Sequence, residues 1–173
     1  MFSRTVLLVF AAALLMSAAP LHGAEGDEVL GIWFTEDKEA KIEIFTCGPR
    51  YCGRIYWMQE PDFPADDEKG MAGLPKTDRN NPDPKLRARL LQGLKIIEDF
   101  YYVGDNRYKG GKIYNPEDGK FYRAKMKLAS KSRLKMRGFV GLSVFGQTQT
   151  WTRDGGSPGN LQHASTPEDQ ARF

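Results

Sequence analysis

From Gly31 onward, apolar and polar residues alternate in short runs that break at Gly, Pro, Asp and Asn. A period of two is the mark of strands with one face buried. The runs predict strands over 31–36, 40–47, 52–59, 94–103, 107–114, 120–128, 133–140 and 144–153. In "YNPEDGKF", Pro116, Asp118 and Gly119 stand where a type I turn followed by a left-handed glycine requires them. About eight short strands joined by tight turns predict an all-β fold, a single up-and-down barrel that is closed or partly closed.

The alternation stops once, over 60–93. That stretch opens as an acidic, proline-rich loop (Pro61, Asp62, Pro64, Asp66, Asp67, Glu68) and ends in "DRNNPDPKLRARLLQG". Asn81 or Asp83 can cap one short helix there, between the third and fourth strands, with Pro84 near its start. Leu86, Leu90 and Leu91 would lie on one side and Arg87 and Arg89 nearer the other, so the helix is expected across a barrel mouth or at its edge. Beyond Arg153 the chain loses apolar residues and period, and 154–173 reads as a flexible tail.

The first residues add a location. Arg4, the uncharged apolar run from Val6 to Met16 and the small residues after it read as a secretory signal over 1–23, with the barrel domain at 24–153. Removing the signal takes out one base and no acid, so the formal charge falls from +3 to +2. A protein that is soluble after signal removal, periplasmic or secreted, is expected. In an oxidising compartment the two cysteines, Cys47 and Cys52, are read as a disulfide. If they oppose one another across a four-residue loop, Ile44 faces Ile55 and Ile42 faces Trp57, with Glu43, Phe45, Arg54 and Tyr56 on the other side. Redox catalysis is the weaker alternative, because a thiol oxidoreductase usually carries its cysteines two residues apart at a helix start.

Catalytic chemistry finds little material. The two histidines, His22 and His163, fall in the signal and the tail, so serine–histidine or cysteine–histidine catalysis and histidine-ligated metal sites lack a member in the barrel. No nucleotide-binding or nucleophile-elbow motif occurs in the sequence. No metal and no cofactor are expected. A carboxylate pair, Glu98 or Asp99 with Glu43, or the thiols, would have to carry any enzymatic activity.

Between Lys120 and Arg137 stand eight bases and no acid. Pairing Lys127 with Arg133 places Lys125 opposite Lys135 and Arg123 opposite Arg137, with Met126 and Leu134, and Ala124 and Met136, on the reverse face. Opposed like charges are destabilising. The face formed by Arg123, Lys125, Lys127, Arg133, Lys135 and Arg137 is therefore either a solvated surface or one that meets an anionic partner, such as an acidic component of the envelope. The charge is local and no nucleic-acid motif accompanies it, so nucleic acid is not expected.

"GIWFTEDKEAKIEIFTCGPRYCGRIYWMQEP", "DRNNPDPKLRARLLQGLKII", "GGKIYNPEDGKFYRAKMKL" and "LKMRGFVGLSVFGQTQTWTR" together resemble the exported bacterial family known as domain of unknown function 2147, from about Gly31 to Arg153. The resemblance implies a lipocalin-like β-barrel, export and no settled activity. Leu90 departs from the family's proline after the second Arg of "LRxR", so the exit from the short helix is expected to differ. Gly31-Ile32-Trp33 resembles the Gly-x-Trp that opens the first lipocalin strand, and Arg153 resembles the arginine that packs over that tryptophan, a structural pair. The leading reading is an exported, non-catalytic binding protein that holds a small apolar or amphiphilic, lipid-like ligand. Inward alternation nominates Ile42, Ile44, Ile55, Trp57, Tyr122, Met126, Met136 and Phe145 for its pocket. The alternative is a filled barrel that docks an acidic envelope partner through the basic face.

Overall fold

A computed structural model describes residues 25–141 and 146–155; the expected signal, Phe145 and the tail beyond Gly155 lie outside the described residues. The described chain folds into one antiparallel sheet of nine strands: β1 Gly31–Phe34, β2 Ala40–Cys47, β3 Arg50–Met58, β4 Lys95–Tyr102, β5 Arg107–Lys109, β6 Lys112–Asn115, β7 Lys120–Ser130, β8 Arg133–Phe139 and β9 Gly146–Arg153. β3 pairs with β4 and β1 with β9, so the sheet closes on itself. β5 and β6 each lie between β4 and β7 and together form one stave, which makes an eight-stave barrel from nine strands.

The expected strand over 107–114 is thus divided, at Gly110-Gly111. A Cβ on Gly111 would stand 2.1 Å from the Phe100 ring, and one on Gly110 2.2 Å from the Tyr101 ring. The backbone crosses these rings at a distance only glycine allows, and Gly110 has φ +77°. The ladder is interrupted there.

Two expected registers are corrected by two residues each. In the β2–β3 hairpin the loop is Gly48-Pro49, with Gly48 at φ +62°, and β3 starts at Arg50. Cys47 therefore faces Arg50, and Cys52 faces Phe45. The cysteines bond diagonally, with Cα atoms 5.9 Å apart. Ile42 faces Ile55, and a bulge at Lys41/Ile42 then places Lys41 opposite Trp57, with Tyr56 as the extra residue. In the β7–β8 hairpin, Lys127 faces Lys135, Lys125 faces Arg137, and Arg123 faces Phe139 rather than Arg137. A slip of two leaves every side chain on its expected face; the bulge does not.

The two ends of the barrel differ. At one end the interior is packed by Trp33, Ile44, Ile97, Phe100, Tyr108 and Leu134 among others. A 3-10 turn, Asp27–Val29, covers that end and buries Val29. The other end receives the β1–β2, β6–β7 and β8–β9 connections and the long segment between β3 and β4. The expected helix in that segment is a single 3-10 turn, Pro84–Leu86, capped by the Asp83 carboxylate, which accepts the Lys85 N–H at 3.0 Å. It ends after one turn because the arginines that follow are drawn back into the loop. Arg87 donates to the Asn81 carbonyl at 2.7 Å, and Arg89 grips Asp78 through Nε at 2.8 Å and Nη2 at 2.7 Å. Leu86 and Leu90 consequently remain exposed, while Leu91 packs on the core.

Candidate functional site

The mouth of the barrel is organised around a buried carboxylate. Asp78 is fully buried, and Tyr114 donates its hydroxyl to Oδ1 at 2.6 Å. Asn81 donates to Oδ2 at 2.7 Å and to the Tyr114 hydroxyl at 3.0 Å. With Arg89 also on Oδ2, the charge is neutralised and its lone pairs are used. Burial, and after it the adjacent Asp78, pushes the Tyr114 phenol above its ordinary pKa. Asn80 reaches from the same loop to the Pro116 carbonyl at 3.3 Å and the Glu117 carbonyl at 2.9 Å, fastening the loop to the β6–β7 turn. Arg79 pairs with Asp67 and lies 4.1 Å over the Phe63 ring.

Beside this frame the barrel is hollow. On β9, Gln147, Gln149 and Trp151 oppose Gly138, Met136 and Leu134 of β8, which are inward positions. Trp151 is buried, yet Gln147 and Gln149 are exposed although they point inward. Ala124 faces Gly138, so the smallest side chains stand together at this level. A cavity of about 1130 Å³ results. Its apolar lining includes Ile42, Ile55, Ile96, Ile113, Met136 and Trp151, and its polar lining includes Thr35, Asn115, Gln147 and Gln149. Asp37, Glu39, Glu60, Glu117, Lys76 and Arg79 add charge to the lining. Asp37 accepts the Thr35 hydroxyl at 2.6 Å, which holds its carboxyl below the usual range.

Of the nominated pocket residues, Ile42, Ile55, Tyr122 and Met136 line this cavity. Tyr122 donates its hydroxyl to Asp118, and that bond raises the phenol's pKa and lowers the carboxyl's. Ile44 and Met126 are buried in the packed part of the barrel instead. Trp57 is turned outward by the β3 bulge: it is 38% exposed, with its ring 6.4 Å from Phe34 and Lys41 5.5 Å above it. Phe145 lies outside the described residues. Sequence reasoning passed over Gln147 and Gln149, although their alternation with Trp151 was the signal that could have found them. It also passed over Asp78 and Gly138.

The carboxylates considered for catalysis do not meet. Glu43 is held by Arg54 at 2.6 Å, and Glu98 by Lys112 at 3.0 Å. Arg54 and Lys95 stand opposite one another between them, so bases separate the acids on the outer surface. At the packed end, the Arg153 guanidinium lies 4.1 Å over the Trp33 ring. It donates to the Leu30 carbonyl at 2.7 Å and the Lys131 carbonyl at 2.6 Å, and also to Glu28 O. The Trp33 indole N–H is taken by the Val29 carbonyl at 2.8 Å. Both side chains are engaged at the seam between first and last strands, away from the cavity.

Among solved structures the chain is similar to protein HP1028 from the human pathogen Helicobacter pylori, described as belonging to the lipocalin family. The two are 28% identical, with a TM-score of 0.61, over 72% of this chain and 82% of that one. No curated protein matches the chain. Residues 31–153 match the family described as "Uncharacterized protein conserved in bacteria (DUF2147)". That span takes in every strand of the barrel, and the chain belongs to this family, on a lipocalin-like β-barrel.

Proposed function

We propose that the protein is an exported, non-catalytic carrier that holds a small apolar or amphiphilic molecule in the open half of its barrel. The observation that carries this reading is the pair of inward-facing, water-exposed glutamines, Gln147 and Gln149, above an apolar floor of Met136 and Trp151 in a cavity of about 1130 Å³. Ligand pockets commonly run to about 300–1,000 Å³, and eight-stranded barrels can be wide enough for one small ligand. An apolar body would lie against Ile42, Ile55 and Ile113, with its polar end toward the glutamines and the charged rim. The Cys47–Cys52 disulfide suits an oxidising compartment and hence export.

The test uses N-phenyl-1-naphthylamine, a probe whose emission rises and shifts to the blue in apolar surroundings. Saturable binding of one probe per barrel is expected, with quenching of Trp151. Gly138→Leu should fill the pocket without moving the backbone, because a Cβ at Gly138 would rest 3.8 Å from Ile113 and 3.9 Å from Tyr122, in ordinary contact. Probe affinity should then fall by about tenfold or more, on the order of 1.4 kcal/mol, with an unchanged circular dichroism spectrum. Non-saturable binding, or a Gly138→Leu protein that binds as well as the parent, would overturn the carrier reading.

A further inference from the structure

The outer surface carries a feature that the cavity does not use. Lys127 on β7 stands between Arg107 of β5 and Lys135 of β8, so three bases are aligned across neighbouring strands. The next outward position on β7, Lys125, faces Arg137, and the one after it, Arg123, lies between Lys112 and Phe139. In the strand register of the described residues, no carboxylate opposes any of them.

Among the described residues, carboxylates are held at its border: Asp105 on Arg107 at 2.6 Å, Glu98 on Lys112 at 3.0 Å and, on the β9 side, Glu36, which accepts the Thr150 N–H at 3.3 Å. On the other side, β8 is paired with Thr148, Thr150 and Thr152 of β9, which bring hydroxyls and no charge. Opposed like charges weaken a sheet, and this sheet holds two such pairs side by side at its centre. A surface of fixed negative charge would turn that repulsion into attraction.

The form of the face selects the kind of partner. Protein–protein interfaces are centred on aromatic or apolar anchors that enter pockets. The centre of this face is a grid of Lys and Arg with threonines beside it, neighbouring strands being about 4.8 Å apart and successive outward residues about 6.8 Å apart. Such a grid matches a layer of phosphate headgroups better than it matches a shaped protein epitope. The strands that bear the grid also end at the barrel mouth in exposed apolar residues: Phe121, 50% exposed, at the start of β7, and Val140, 69% exposed, just after β8. Basic residues with apolar ones at their margin suit the boundary of a bilayer, where charge meets the headgroups and apolar side chains meet the acyl region.

We infer that the β7–β8 face docks on an anionic phospholipid surface, through Arg123, Lys125, Lys127, Arg133, Lys135 and Arg137, with the mouth edge at Phe121 and Val140 turned toward the lipid. The inference stands on the outer face alone and holds whether or not the cavity binds a probe.

Vesicle flotation tests it with the full mature chain. On vesicles of phosphatidylcholine containing phosphatidylglycerol, the protein should float at low salt and be released at about 0.5 M NaCl, where the Debye length shrinks to a few ångströms. On phosphatidylcholine alone it should stay in solution. A cation close to such a surface contributes about fivefold to partitioning, so Lys127→Gln with Lys135→Gln should lower it about 25-fold and Lys127→Glu with Lys135→Glu further. Equal partitioning on both kinds of vesicle, or undiminished flotation of the paired variants, would overturn the inference. So would a protein that ignores anionic vesicles but is retained by a polyglutamate matrix, which would assign the face to an acidic protein. The salt and lipid dependence of the parent protein decides the question even if a variant fails to fold.

Discussion

Tyr51 shows how burial sets the chemistry of a single residue. It is packed edge-on against Tyr108, with ring centroids 5.2 Å apart, and donates its hydroxyl to Asp27 at 3.0 Å. Burial first, and then the hydrogen bond to Asp27 and its charge, push the Tyr51 phenol up to about 12. An unfolded tyrosine releases its proton near pH 10. Between these values the unfolded chain binds fewer protons than the folded one, so stability falls as pH rises. The contribution is whole below about pH 10 and is lost as pH approaches 12, on the order of 2–3 kcal/mol. Thermal melts of Tyr51→Phe and the parent between pH 9 and 12 should therefore converge as pH rises; a gap that stays constant would place the effect in packing alone. Residue-scale detail was only partly legible beforehand. Trp57 is apolar and lies at an inward parity, but one inserted residue, Tyr56, sends it outside. Nothing in local alternation marks a bulge, because both neighbours of the inserted residue still alternate on their own side of it.

Among the elements, the segment between β3 and β4 depends most on partners distant in sequence. Its own residues could be read locally as far as the cap: Asp83 followed by Pro84 does start a turn. The partner of Asp78 was not readable, because Tyr114 lies 36 residues away and only closure of the barrel brings them together. Asp78→Ala would leave the Arg89 guanidinium, the Tyr114 hydroxyl and the Asn81 amide without their acceptor. The Arg89 side chain is 37% exposed and can be rehydrated, so the cost falls on the buried Tyr114 and Asn81 donors, about 1–3 kcal/mol for each one left unsatisfied. Hydrogen–deuterium exchange should then show protection lost at the Asp78 and Leu91 amides, which donate to Arg89 O and Lys76 O, while β7 and β8 keep theirs. Uniform loss over the whole chain would mean that the loop is no separate unit. The hairpins teach a related lesson. Which side chains share a face is decided by period two and was read correctly for β7 and β8; how far the strands are shifted is decided by the turn. A loop of Gly48-Pro49 in one hairpin, and in the other a two-residue turn at Lys131-Ser132 together with the bulge at Leu128/Ser130, moved each register by two while keeping each face.

The whole molecule is a closed sheet whose first and last strands meet at two opposed pairs, Trp33 with Arg153 and Phe34 with Thr152. Arg153 reinforces that seam by lying on Trp33 and by donating to Glu28 and Leu30 of the segment before β1 and to Lys131 of the β7–β8 turn. Arg153→Met keeps much of the contact with the ring and removes the donors. A fall in melting temperature is expected, with the earliest exchange at the β1 and β9 amides; unchanged melting would show that the hydrogen bonds are replaced by water at no loss. Closure itself could be anticipated from the chain's succession of strands and turns, whereas the depth of the hollow depends on side-chain volumes facing one another across strands far apart in sequence. That depth is set by Met136 and Trp151, which floor the hollow, while Gly138 opposite Ala124 leaves room above them. Above this floor the barrel is open, and below it Trp33, Phe100 and Leu134 hold the fold. Gly138, Gln147 and Gln149 shape the hollow without belonging to the packed core, whereas Ile42, Met136 and Trp151 serve both. A change of side chain at Gly138, Gln147 or Gln149 can therefore reshape the hollow with the packed end left untouched.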